Sequence, residues 1–360
     1  MALVSAYGGD QKGFAVRFWL LAVLLLATSA HAQDLPAVHL KVVGGLGQTV
    51  QYKKFEEPFW AKELAEASNG RVTAEVTPWD QAGIKGPELL QFTRLGAIAV
   101  STVSLSQIAS EDPEAAAVDL AGLNPDIPTL RRSINAYLPT LQDVYRHRYG
   151  LELLAMWSYP AQVIFCNKPI SGLADLNGVK VRVASAMHDD FVQGLGGTGV
   201  TMPFDALMDA LKKHVADCAI TGATPGYRVG LYNATTHISP TTVSWGPYVL
   251  LANRAAWGRL DPSIRDFLTT QIEKLSSRLW DLAEKETQEG ITCLTGGPCS
   301  VGPPAKMTLV PTRVSDLALV RKSFMETVSP RWAERCGPDC VANWNATVGR
   351  IFGLNVAAAN

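Results

Sequence analysis

Residues 173–183 read Leu-Ala-Asp-Leu-Asn-Gly-Val-Lys-Val-Arg-Val, and they are followed by Gly199-Val-Thr-Met-Pro-Phe204 and Val215-Ala-Asp-Cys-Ala-Ile-Thr221. Leu173 to Gly178 is a turn built from Asp, Asn and Gly. Val179 to Val183 alternates with the period of two that a strand requires, and it places Arg182 near the carboxyl end. Met187 to Leu195 then predicts a helix, Gly199 to Met202 a strand, Phe204 to His214 a helix, and Ala216 to Thr221 a strand. Such alternation predicts α/β structure with a parallel sheet covered by helices on both faces.

The same order occurs upstream. Val38 to Val43 reads as a strand that ends in Gly44-Gly-Leu-Gly47. From Gln51 to Ser68, Phe55, Phe59, Trp60, Leu64 and Ala67 fall at helical spacing, and Asn69-Gly70 stops the helix. Arg71 to Thr77 predicts a second strand, Gly86 to Arg94 a helix, and Ala97 to Val103 a third strand. Glu152 to Trp157 and Gln162 to Cys166 read as extended. The expected organisation is two α/β lobes, residues 33–155 and 156–252. A long polar-faced helix over 262–290 follows. Residues 253–360 form a Cys-containing helical extension, part of which returns to the first lobe and which ends in a helix over 314–334. Two open sheets leave a cleft outside the carboxyl ends of their strands, where ligands bind. A hinge between lobes would close it.

Composition narrows the partners. A chain of 360 residues exceeds one ordinary core and suits two. Its net charge of −1 offers no basic surface for a polyphosphate, so nucleic acid is not an expected partner. Lys12 and Arg17 precede the apolar run from Phe18 to Ala27, and Ala30-His-Ala32 is a small-x-small cleavage site. That pattern predicts a signal peptide over residues 1–32, too short in its apolar run to span a bilayer. Export to the periplasm is therefore expected. Removal of Lys12, Arg17 and Asp10 moves the net charge from −1 to −2.

All six cysteines lie in the exported part, where an even count points to disulfides. Cys293 and Cys299 enclose Gly-Gly-Pro, and Cys336 and Cys340 enclose Gly-Pro-Asp; each turn-rich loop can close on itself. Zinc is the rival reading, but it favours tighter Cys-x2-Cys pairs or nearby histidines. Cys166 and Cys218 lie far apart in sequence, and spacing alone does not join them.

Catalytic signatures are missing. Neither Gly-x-Ser-x-Gly nor a P-loop occurs. Gly194-Leu-Gly-Gly-Thr-Gly199 follows a helix rather than a first strand, which suits a helix end better than a dinucleotide site. The histidines are scattered and read as surface or capping residues. In His188-Asp189-Asp190 the acids favour the helix N-terminus and need no metal. No cofactor, metal or enzymatic activity is expected, and the alternatives to a binding protein are a periplasmic enzyme acting on an organic acid in the same cleft or a ligand sensor for a receptor.

The quoted segments, taken together, resemble the solute-binding proteins of TRAP (tripartite ATP-independent periplasmic) transporters, of the C4-dicarboxylate-binding type. Residues 173–183 are similar to that family's "DLKGLKIRV" stretch. Gly86-Pro-Glu-Leu-Leu-Gln through Gly96-Ala-Ile-Ala-Val resembles its "E-x-L-x-x-v-x-x-G-x-vD" unit. Thr236-His-Ile, Ala252 to Trp257 and Leu260-Asp-Pro resemble a further run, so the resemblance spans about residues 38–330. It implies a small carboxylate-bearing solute, TRAP membrane permease subunits as partners, and a long helix bracing the lobes. The chain is expected to act as a monomer.

The resemblance also implies site residues. Arg182 would salt-bridge the ligand carboxylate, and a guanidinium suits that task because its rigid fork matches two carboxylate oxygens. Phe204 would lie against the ligand's carbon skeleton. Thr221 stands where many relatives have asparagine, and Gln162 where some carry a second arginine. Gln48, Thr49 and Ser104 are polar groups at the expected rim, and Trp245 is a candidate either for a cleft wall or for core packing. Cys218 replaces a family glycine and Met208 a tyrosine. The implied topology sets the strand of Cys166 beside that of Cys218, where they would pair.

Overall fold

The structure, a computed structural model, describes residues 35–84 and 86–358. The expected signal peptide lies outside the described residues. Among the described residues, eleven strands form two sheets. The first contains β1 (Val38–Gly44), β2 (Val72–Pro78), β3 (Val100–Ser104), β4 (Leu151–Ser158) and β10 (Pro247–Asn253), in the order β2-β1-β3-β10-β4. The second contains β5 (Gln162–Cys166), β6 (Lys180–Val183), β7 (Thr198–Thr201), β8 (Cys218–Gly222), β9 (His237–Ser244) and β11 (Thr308–Leu309), in the order β11-β9-β5-β8-β6-β7.

Both sheets are mixed, not parallel throughout. Each has a parallel trio, β2-β1-β3 and β8-β6-β7, whose strands are linked through helices. Antiparallel strands extend each trio: β10 pairs with β3 and β4, and β5 pairs with β8 and β9. The cause is connection length. Three residues separate β4 from β5 and two separate β9 from β10, far fewer than the dozen or so a parallel crossover needs. The chain instead steps from one sheet to the other at each point, so residues 247–253 belong to the first sheet.

The two crossings are fastened to each other. Tyr159 N–H donates to Gly246 O, and Ser158 Oγ donates to Tyr159 O and Trp245 O. Asp119, buried, accepts from the N–H groups of Trp245 and Gly246 at 2.8 and 2.9 Å and from Asn124 Nδ2.

A long helix, Pro262–Leu294, packs on β4 of the first sheet and on helix Ala223–Arg228, which follows β8 of the second. Its N-cap Asp261 accepts from Ser263 N–H. Ile264, Leu268, Ile272, Leu275, Leu279, Ala283, Glu286 and Gly290 are buried at three- and four-residue steps, which is one face of a helix. Ser276 Oγ and Trp280 Nε1 both donate to Met156 O of β4, and Arg278 pairs with Glu63 at 2.7 Å. Further along, Glu286 O accepts from Thr224 Oγ1 beside β8. The helix passes the expected stop at Gly290. That glycine is a contact point, since a Cβ there would lie 2.4 Å from Thr224 N. Gly296, at φ 94°, follows the actual end.

Differences from the sequence reading have local causes. Residues 52–67 are helical but contain π turns: Glu57 N–H reaches back to Tyr52 O just ahead of Pro58, which has no N–H to give. Helix Ile127–Val144 was not among the expected elements; its apolar face, Ile127, Leu130, Ile134, Tyr137 and Leu141, runs past Pro139, which is exposed. Phe204 opens a short turn, Phe204–Ala206, and the helix proper is Leu207–Lys212. The C-terminal helical run ends at Cys336; Gly337 then turns the chain into a second helix, Pro338–Trp344.

All three cysteine pairs are joined. Cys166–Cys218 links directly opposed residues of β5 and β8, with Cα atoms 4.0 Å apart. Cys293–Cys299 and Cys336–Cys340 close the two short loops. Among the described residues there is no free cysteine and no metal-ligating cluster.

Candidate functional site

A cavity of about 850 Å³ opens where the strand ends of the two sheets meet. From the first sheet's side come Gln48, Thr49, Trp79, Asp80, Ser104 and Gln107. The crossings contribute Tyr159, Gly246 and Tyr248. Gln162, Arg182, His188, Phe204, Met208 and Thr221 come from the second sheet's side.

Arg182 is 2% exposed, although it carries a charge. The neighbouring strands hold it in place. Nε and Nη2 donate to Met202 O at 3.1 and 2.7 Å, and Nη1 donates to Ile220 O at 3.2 Å. These three contacts use three of the five guanidinium N–H groups and leave two. Carbonyls orient the fork without neutralising it, and among the described residues no carboxylate lies within ion-pair distance. Burial lowers the Arg182 pKa to about 10, with Asp205 acting weakly in the other direction. A buried charge without a counter-charge is costly, so this site favours an incoming anion. Among the described residues lining the cavity, Arg182 is the one cation.

The other expected residues are placed as follows. Phe204, half-buried, and Thr221, buried, line the cavity beside Arg182. Gln162 lines it at the start of β5, its Nε2 donating to Pro160 O at 3.1 Å. Ser104 ends β3 and sits 3.0 Å from Ser106 Oγ. Thr49 Oγ1 donates to Leu46 O and contacts Tyr159 Oη at 3.3 Å. Gln48 is exposed at the mouth, and its Oε1 accepts from Lys53. Of the two roles left open for Trp245, the structure shows core packing rather than a cleft wall. It is buried away from the cavity, with Nε1 donating to Asn124 O and its backbone N–H held by Asp119. Those partners turn the indole inward.

Three aromatic residues were not foreseen. Tyr159 and Tyr248 stack with ring centroids 4.0 Å apart and form one wall. Tyr159 lies in one crossing and Tyr248 two residues past the other, and that placement was the missing signal. Trp79 follows β2, and its Nε1 has no partner among the described residues. His188 also departs from the surface or capping role read for it: it is 2% exposed and lines the cavity.

A cavity walled by two α/β sheets, with an oriented and uncompensated guanidinium inside, defines a solute-binding protein. The family model for bacterial extracellular solute-binding protein, family 7, matches residues 47–315. The chain belongs to that family and is a TRAP-type solute-binding protein, as its sequence resemblance indicates. Over 257 residues it is 20% identical to the sialic acid-binding periplasmic protein SiaP of Vibrio cholerae, covering 71% of this chain and 79% of the relative. Over 238 residues it is 22% identical to the C4-dicarboxylate-binding periplasmic protein DctP of Rhodobacter capsulatus, covering 65% and 71%. Its fold matches that of DctP7, a Bordetella pertussis extracytoplasmic solute receptor binding pyroglutamic acid, with TM-score 0.75, 19% identity and coverage of 86% and 100%. It also matches the sugar acid binding protein DctPAm of Advenella mimigardefordensis in complex with galactonate, with TM-score 0.74, 18% identity and coverage of 87% and 98%.

Proposed function

We propose that the cavity takes a small organic acid with one carboxylate, held by the two free N–H groups of Arg182 while Phe204 and the Tyr159–Tyr248 stack cover its carbon skeleton. The observation that carries this reading is the buried guanidinium that faces the cavity with its charge unmatched. The acids bound by the Bordetella and Advenella proteins support it. Asp80 and Asp205, the two acids in the lining, disfavour a second anionic group on the ligand. The protein binds and releases its ligand without altering it, and delivers it as a periplasmic monomer to a pair of TRAP permease subunits, after cleavage near Ala32.

The test begins with a thermal-shift screen of organic acids, since a ligand of the folded form raises Tm. Calorimetry on Arg182→Ala then follows. Each charge-assisted bond contributes about 1.5–3 kcal/mol, so loss of two weakens binding by at least about 100-fold. Folding survives, because cavity water can take over the carbonyls of Met202 and Ile220. An Arg182→Ala protein that binds the acid as tightly as wild type sinks the reading.

A further inference from the structure

Glu56 lies in the helical run that follows β1, and it does not line the cavity. Its side chain is fully buried. Oxygen Oε2 accepts from Gly45 N–H at 3.0 Å and from Thr102 Oγ1 at 2.8 Å. The first partner belongs to the loop that leads into Gln48 and Thr49, and the second stands two residues before Ser104, so both sit beside cavity residues. Oxygen Oε1 has no hydrogen-bond partner among the described residues. It converges with the Tyr159 hydroxyl on one spot: a Cβ on Gly45 would lie 2.7 Å from Glu56 Oε1 and 2.6 Å from Tyr159 Oη. Tyr159 in turn stacks on Tyr248 and contacts Thr49 Oγ1. One carboxyl therefore adjoins three segments that build the cavity: the loop after β1, the end of β3 and the first crossing.

Nothing positive offsets that carboxyl: among the described residues it forms no ion pair. The groups facing it are Tyr52 on its own helix, Tyr159 at the crossing and Tyr248 on β10, with Asp80, after β2, acting on Tyr52 and Tyr248. Burial raises all three tyrosines above their ordinary value, so they stay neutral. A carboxylate here would be a buried charge without a counter-charge, which is costly, whereas the neutral acid needs only hydrogen bonds. Burial accordingly raises Glu56 to about 7, against the bonds from Thr102 and Gly45. An anion entering the cavity adds a second negative charge to this poorly solvated region, where like charges about 10 Å apart repel enough to shift an equilibrium roughly tenfold.

We infer that Glu56 is a positioning residue for the cavity wall, that it holds the wall as a neutral acid, and that capture of an anionic solute draws a proton from solvent onto its carboxyl. Ligand and proton then favour each other, because linkage is reciprocal. Affinity is highest where Glu56 is protonated and falls as pH rises through about 7. This inference rests on the proposed reading of the cavity as a carboxylate site.

Calorimetry on the purified protein uses pyroglutamate and galactonate, the acids bound by the Bordetella and Advenella proteins, from about pH 6 to about pH 8.5. Both ligands stay ionised throughout, so any change belongs to the protein. Runs in two buffers of different ionisation enthalpy count the protons taken up. Wild type is expected to bind about 5–10-fold more weakly at the upper end, with about half a proton taken up per ligand near pH 7.5. Glu56→Gln mimics the neutral acid: its carbonyl oxygen serves Gly45 and Thr102, and its N–H stands in for the O–H. It is expected to keep the low-pH affinity at every pH and to lose the proton uptake. Thr102→Val, of the same shape and outside the cavity lining, removes a bond that favours the carboxylate. The midpoint of the pH profile is then expected to move to higher pH. Circular dichroism melts verify folding, and Thr102→Val carries the test alone should Glu56→Gln fail to fold. A wild-type affinity and proton count that do not change with pH overturn the inference. So does a Glu56→Gln protein with the wild-type profile, or a midpoint that stays put in Thr102→Val. Failure of the carboxylate reading looks different: Arg182→Ala then binds both acids like wild type. If wild type binds neither acid at about pH 6, both ideas fall together.

Discussion

Lysine in place of Arg182 separates charge from shape. An ammonium is a point charge with three donors on a flexible stem, and it cannot span the carbonyls of Met202 and Ile220 while presenting two parallel N–H groups outward. Arg182→Lys is therefore expected to fold but to bind the identified acid at least about 10-fold more weakly, because one charge-assisted bond is lost. Wild-type affinity in calorimetry would refute the two-point grip. At this scale the sequence was informative where chemistry and position coincided. An arginine on an apolar strand, near its carboxyl end, can only face a sheet neighbour, solvent or a cleft. Thr221 and Phe204 were singled out only through the family resemblance, and both line the cavity. Trp245 was not legible, since the groups that turn its indole away from the cavity, Asn124 and Asp119, lie over a hundred residues upstream. His188 was hidden as well: at a helix start its pattern suits a cap, and only the fold brings Ser244 to its ring.

Among the elements, strand–helix alternation was readable because each parallel trio is local in sequence. The antiparallel additions were not, because β10 enters a sheet whose other strands are distant along the chain; β11, which is parallel to β9, likewise joins its sheet from beyond the long helix. One long helix, Ile127–Val144, went unread although Ile127, Leu130, Ile134, Tyr137 and Leu141 keep helical spacing past the exposed Pro139. Gly290 shows how a local rule misleads. As punctuation it reads as a helix stop; in the fold it lets Pro262–Leu294 approach the backbone of helix Ala223–Arg228. Alanine normally improves a helix interior by about 1 kcal/mol over glycine. Here its Cβ would meet Thr224 N and Ala223 C, neither of which is a flexible side-chain end. Gly290→Ala is thus expected to destabilise the protein by about 1–3 kcal/mol, read as a lower midpoint in urea at unchanged slope. It should also weaken ligand binding, since the displaced helix directly follows Thr221 and Gly222 of the cavity wall. A variant more stable than wild type would show that the contact is loose.

At the scale of the molecule, buried ionisable groups set an unusual response to pH. Burial raises the carboxyls of Glu56, Asp119 and Glu286 to about 7 each, against the hydrogen bonds that Thr102, Trp245 and Gln51 respectively give them. Burial likewise raises Asp112 to about 6, opposed by Arg148. The folded protein then binds these protons more readily than the unfolded chain, whose carboxyls titrate near 4. Stability from this source is complete below about pH 4 and is lost as pH rises through 6 to 7. His188 acts the other way, because its folded pKa of about 3 lies under the unfolded value, so its contribution is lost as pH falls from about 6.5 to 3. Between pH 8 and 5 the four carboxyls outweigh the one histidine, and each net proton contributes on the order of 1.4 kcal/mol per pH unit. Tm measured by calorimetry is therefore expected to rise from pH 8 to about pH 5 and to fall below pH 4. Glu286 ties this behaviour to the ligand machinery: it bonds Gln51 on the first-sheet side, while its backbone carbonyl accepts from Thr224 beside the second. A Glu286→Gln protein keeps a neutral partner for Gln51 and should lose part of the rise between pH 8 and 6. A Tm that declines steadily from pH 8 to 5 in the wild-type protein would mean that these carboxyls are ionised in the fold.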